Sequence, residues 1–118
     1  MITSYKNLHS LEKRVLESSK IRAKYPGHIP VIVDLDEKIG KIKKHKFLVP
    51  PDVSASHLIC SIRNQIKFKK NDAMVLFVDN TILCPTKIMA TIYDEYLANK
   101  NDDDLFLYVT IKCESVFG

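Results

Sequence analysis

Ile29-Pro30-Val31-Ile32-Val33 is an unbroken apolar, largely β-branched run. It offers no polar face to water, so the segment from His28 to Asp34 predicts a strand buried on both faces, with Pro30 near its start, where a missing N–H is tolerated. Such a strand belongs inside a sheet, and the rest of the chain supplies the other layers. Ahead of it, Leu8, Leu11 and Val15 recur at spacings of three and four, Ser10 stands as an N-cap, and Tyr25-Pro26-Gly27 ends the pattern. These signals predict an amphipathic helix over 11–24.

After a polar loop through Gly40, Lys46-Phe47-Leu48-Val49-Pro50 predicts a second strand at a sheet edge. Ser54 would cap a helix whose Leu58, Ile62 and Ile66 lie four apart. Met74 to Val78 predicts a strand, Asp79-Asn80 a turn, Thr86 to Leu97 a helix, and Leu105 to Lys112 a last strand. The order is helix, then ββαβ(α)β. It predicts an α+β chain of the ubiquitin-like β-grasp kind, a four-stranded mixed sheet with a crossing helix, preceded by an N-terminal helical segment. Residues 1–27 would form the helical extension and 28–118 the β-grasp unit with its glycine tail, the two making one globular body.

A chain of 118 residues, 46% apolar and 27% charged, has room for one such core. Its longest apolar run, Ala73 to Val78, is far short of a membrane span. The opening residues lack the apolar stretch of a signal peptide, so the expected compartment is cytosol or nucleus. Cys60, Cys84 and Cys113 are unpaired in number, and neither they nor His9, His28, His45 and His57 have metal-ligand spacing. They read as buried thiols and surface imidazoles, with no cofactor implied. Charge is uneven. Residues 1–70 carry 15 basic and 6 acidic side chains, +9, whereas residues 71–118 carry 3 and 8, −5. No Walker loop, G-x-S-x-G, H-E-x-x-H or C-x-x-C occurs. The carboxylates at Asp34-Asp36-Glu37 and Asp102-Asp103-Asp104 read as solvated acidic turns, so the chain is not expected to be an enzyme.

Several separated segments carry a more specific message. Glu12-Lys13-Arg14, Lys20-Ile21-Arg22-Ala23-Lys24-Tyr25-Pro26, Ile29-Pro30-Val31-Ile32-Val33, Lys46-Phe47-Leu48-Val49-Pro50, Phe106-Leu107-Tyr108-Val109 and Glu114-Ser115-Val116-Phe117-Gly118 resemble, in order and nearly in spacing, the GABARAP-type autophagy ubiquitin-like modifiers. The resemblance implies a β-grasp domain joined through its C-terminal glycine, here Gly118, to phosphatidylethanolamine. It further implies E1-like activating and E2-like conjugating enzymes, a processing and deconjugating cysteine protease, and a cytoplasmic protein whose lipidated form sits on autophagosomal membranes. Glycine suits that chemistry, since a residue without Cβ leaves the carboxyl carbon unhindered when an acyl adenylate and a thioester form there.

The same resemblance implies capture of cargo receptors through aromatic-x-x-aliphatic motifs with acidic flanks. An edge strand at 46–50 can accept such a peptide as an added strand. By resemblance, Glu17, Ile21, Pro30, Ile32, Lys46, Leu48 and Phe106 would form the pocket for the aromatic. Phe47, Val49, Pro50, Val53, Leu58 and Ile62 would form the aliphatic pocket, and Lys44, Lys46 and Arg63 would meet the acidic flank. Gln65 replaces a usual basic residue and Ser61 a bulky apolar one, changes that bear on flank preference and on the pocket floor. The alternative is a small basic α+β domain binding RNA or another polyanion through Lys38 to Lys46 and Lys67 to Lys70. It has thin support, because only Phe47 and Phe68 could stack near those lysines, and no nucleic acid is expected as a partner.

Overall fold

A computed structural model describes residues 4–35, 40–42, 44–68 and 74–113. Two helices come first, α1 (Tyr5–Leu8) and α2 (Leu11–Lys24). Both start at serine caps: Ser4 accepts from the Asn7 N–H and Ser10 from the Lys13 N–H. Then follow β1 (Ile29–Leu35), β2 (Gly40–Ile42), β3 (Lys46–Val49), α3 (Ala55–Arg63), β4 (Ile66–Phe68), β5 (Met74–Val78), β6 (Thr81–Ile82), α4 (Met89–Asn99) and β7 (Leu107–Cys113).

Every residue of β1 is buried, as its apolar run requires. The main sheet has five strands in the order β3-β1-β7-β5-β6, with β1 and β7 parallel at its centre and antiparallel pairs outside. This is the expected mixed α+β sheet with β3 at an edge, but with five strands where four were expected. The extra one, β6, forms because Asp79 and Asn80 both take positive φ, 48° and 65°. That geometry turns the chain tightly enough to fold Thr81–Ile82 back on β5.

Other expectations need correction. The predicted loop at Gly40 is the strand β2, which pairs with β4 in a separate two-stranded ribbon. Ile66, read as the last turn of the helix after Ser54, lies in β4; α3 ends at Arg63, and Ser54 makes no side-chain cap bond. The helix expected from Thr86 starts at Met89. The Leu8-Leu11-Val15 pattern does not mark the face that meets the sheet: Leu8 ends α1 and is 65% exposed, Leu11 is 43% exposed, and in α2 it is Arg14 and Ser18 that are buried. Arg14 reaches Asp104, and the Ser18 hydroxyl accepts the Leu105 N–H at 3.0 Å. Asp34 and Asp104, read as solvated, are buried. Cys60 and Cys84, read as buried, are exposed. Nor is every imidazole at the surface, for His9 Nδ1 is closed off from solvent.

Candidate edge-strand docking site

Alternation along the sheet sorts the predicted site residues onto two faces. In the β1–β3 ladder Pro30 stands opposite Leu48 and Ile32 opposite Lys46, so these four share one face; Ile29 and Val31 stand opposite Val49 and Phe47 on the other. The residues expected to hold an aromatic are therefore separated by the sheet from Phe47 and Val49, which were expected to hold an aliphatic. In the parallel ladder Ile32 is aligned with Tyr108, extending the first face inward. There the Tyr5 ring meets Phe106 edge-on at 5.7 Å and Tyr108 at 6.4 Å.

On this first face, Ile32 and Phe106 are fully buried, Pro30 is buried, and Ile21 is half-buried against the core. Leu48 is 40% exposed. Glu17 of α2 binds the Lys46 ammonium, and its other oxygen accepts the Tyr5 hydroxyl at 2.5 Å. Lys46 also lies 5.3 Å from the Tyr5 ring centroid. Partial burial, then the positive Lys13, lowers the Lys46 pKa from its ordinary value. On the second set, Phe47, Val49, Leu58 and Ile62 are buried in the core, while Pro50 and Val53 are half-buried and offer the accessible part. Lys44 is exposed, 5.7 Å from the Phe47 ring, and Arg63 is exposed at the end of α3. Ser61 turns its hydroxyl onto the His57 carbonyl at 3.1 Å, and Gln65 is exposed.

The backbone of β3 completes the arrangement. The Val33 N–H donates to the His45 carbonyl at 2.8 Å. Antiparallel bonding repeats every second residue, so Phe47 and Val49 also turn their N–H and C=O toward β1. Lys46 and Leu48 turn theirs outward, along an edge that pairs with no strand among the described residues. Tyr5 escaped the sequence reading because it stands alone before the helical pattern; its backbone N–H to Asp34 Oδ1, 3.1 Å, is what seats α1 on the sheet. A separate groove of about 400 Å³ lies by the other sheet edge, lined by Val78, Ile82, Leu83, Cys84, Ile92 and Tyr96, and includes none of the expected site residues. Phe47, one of the two aromatics available for stacking on a nucleobase, is buried. The side chain of Phe68, Gly118 and parts of both lysine clusters lie outside the described residues.

Comparison with known proteins bears on the family and the fold. The family model "Autophagy protein Atg8 ubiquitin like" matches residues 13–118. Autophagy-related protein 8c of Arabidopsis thaliana is 43% identical over 98% of this chain and 96% of its own. Autophagy-related protein 8 of Mycosarcoma maydis is 39% identical over 100% and 98%. Among solved structures, Trypanosoma brucei ATG8 superposes with a TM-score of 0.81 at 29% identity, covering 95% of each chain. Plasmodium falciparum Atg8 in complex with a Plasmodium falciparum Atg3 peptide gives 0.77 at 29% identity, covering 92% and 94%. These relatives are ubiquitin-like modifiers and not enzymes, and with the matched family model spanning the sheet and most of α2, the chain belongs to the Atg8 family of ubiquitin-like autophagy proteins.

Proposed function

We propose that this chain is a modifier joined through Gly118 to phosphatidylethanolamine on autophagic membranes, where it gathers cargo receptors and adaptors bearing aromatic-x-x-aliphatic motifs. The observation that carries the docking half is the edge of β3, which pairs with no strand among the described residues and turns the Lys46 and Leu48 backbone groups outward. A peptide strand added there gains main-chain hydrogen bonds, and its alternate side chains fall on the two faces. The aromatic would rest against Leu48 above a floor of Pro30, Ile32 and Phe106, beside Glu17 and Ile21. The aliphatic would enter by Pro50 and Val53 toward Phe47, Val49, Leu58 and Ile62. Lys44, Lys46 and Arg63 would draw in the acidic flank. An aromatic anchor with a few strand bonds, set against the cost of association, points to micromolar affinity, about −8 kcal/mol.

The conjugation half rests on family membership and on the chemistry of a C-terminal glycine. Activation by an E1-like enzyme and transfer by an E2-like enzyme would pass the Gly118 carboxyl from adenylate to thioester to the lipid amine, with a cysteine protease for processing and release. The Plasmodium relative solved with an Atg3 peptide supports docking of a short segment on this scaffold. Among the described residues no helix is long and apolar enough to cross a membrane, and a two-chain lipid would supply stable attachment. The chain would be cytoplasmic before conjugation.

The test is reconstitution with E1-like and E2-like enzymes, ATP and vesicles containing phosphatidylethanolamine, read by mass spectrometry. A phosphatidylethanolamine mass at Gly118 is expected; an isopeptide to lysine, or an unmodified chain, overturns the reading.

A further inference from the structure

One carboxylate serves two neighbours on the docking face. Glu17 accepts the Tyr5 hydroxyl on one oxygen at 2.5 Å and holds the Lys46 ammonium on the other. Lys46 is the member of this trio on the outward edge of β3, and it would meet an acidic peptide flank. Glu17 therefore already occupies it with the group the peptide would bring. Both side chains of the ion pair are partly exposed, 42% for Lys46 and 29% for Glu17. For such a pair, restraining two long side chains is a large part of the cost. Tyr5 removes much of that cost for Glu17. Its own backbone is tied to Asp34 and its ring is buried against Phe106 and Tyr108, so its hydroxyl is a fixed point.

We infer that Tyr5 is a positioning residue for motif selection: by anchoring Glu17 as an internal competitor for Lys46, it sets how strongly the site prefers acidic over neutral flanks. The inference rests on the motif-docking reading above. A flank carboxylate must displace Glu17 from Lys46, while a neutral flank leaves the pair intact. Loosening Glu17 lowers that barrier for the acidic flank alone.

The experiment uses the full chain and two synthetic peptides sharing a tryptophan-x-x-leucine core, one preceded by three aspartates and the other by three asparagines, with affinities from calorimetry. Tyr5→Phe keeps the ring and its contacts but removes the donor, and is expected to raise the acidic-to-neutral affinity ratio about 2- to 5-fold. Glu17→Gln, which also removes the competing charge, should raise it at least as much. Tyr5→Phe added to Glu17→Gln should then change nothing further, the signature of action through Glu17. A ratio unmoved or lowered by Tyr5→Phe, or moved equally in the Glu17→Gln background, overturns the positioning role while leaving motif docking in place. If neither peptide binds the wild-type chain, the docking reading itself falls and takes this inference with it.

Discussion

Arg14 and Asp104, 90 positions apart in the chain, meet at 2.7 Å beneath α2, where Asp104 is wholly withdrawn from solvent. Both carboxylate oxygens are engaged: Tyr108 donates its hydroxyl to the same oxygen, and the Phe106 N–H donates to the other at 2.9 Å. Burial, then the bond to Asp104, raises the Tyr108 pKa, keeping its proton in place. Lys100 binds the Asp104 carbonyl and pairs with Asp102 at 3.0 Å. Directional polar contacts thus join the apolar packing of Tyr5 and Ile21 in seating the N-terminal helices on the sheet.

Arg14→Ala leaves the Asp104 charge buried without its cation and is expected to cost about 3–5 kcal/mol in urea unfolding. Pairing Arg14→Met with Asp104→Asn removes both charges together. The double variant should recover most of the loss, whereas a double variant as unstable as the sum of the singles would contradict the coupling.

Leu48→Ala separates docking from folding. Its side chain is 40% exposed, so thermal unfolding should shift little. Affinity for an aromatic-x-x-aliphatic peptide should fall by about 1–3 kcal/mol. Unchanged binding in calorimetry would remove Leu48 from the docking site.

The hairpin turn gives a backbone test. Asn80 has φ 65°, a region where a β-branched side chain is strained. Asn80→Val is expected to lower stability by about 1–2 kcal/mol, and Asn80→Gly to hold or raise it, both read from urea midpoints.

Acid should loosen the α1 junction before it titrates carboxylates. His9 Nδ1 is shut from solvent with no hydrogen-bond partner among the described residues, and its ring stacks tilted on Tyr5 at 4.3 Å. Desolvation, then Lys13, Lys46 and Arg14, lowers its pKa from 6.5. The folded state therefore resists a proton that the unfolded chain accepts. Its contribution is complete above about pH 6.5 and is lost as pH falls below that value toward the lower folded pKa. Urea midpoints at pH 7 and 5.5 should differ more for the wild type than for His9→Gln, and equal differences would exclude the effect. Asp34 acts in the opposite sense at lower pH, because burial raises its pKa and protonation relieves that cost.

Local patterning was enough for the elements whose signals lie within a few residues. The apolar run of β1, the serine cap and proline stop of α2 and the short apolar segment of β3 each state their structure in the chain, as does the alternation that puts Lys46 and Leu48 on the face opposite Phe47 and Val49. Contacts between distant segments left no such trace. Gly40–Ile42 becomes a strand because Ile66–Phe68 arrives to pair with it, and neither segment is apolar enough alone to announce a strand. Asp104 looks like one of three solvated carboxylates until Arg14, Tyr108 and the Phe106 N–H close around it. Tyr5 joins the sheet face that carries Lys46 through Glu17 and Asp34, neither of which is near it in sequence. Periodicity reports which side of an element is apolar; which polar groups meet, and so which charges are buried, is set by how the elements pack.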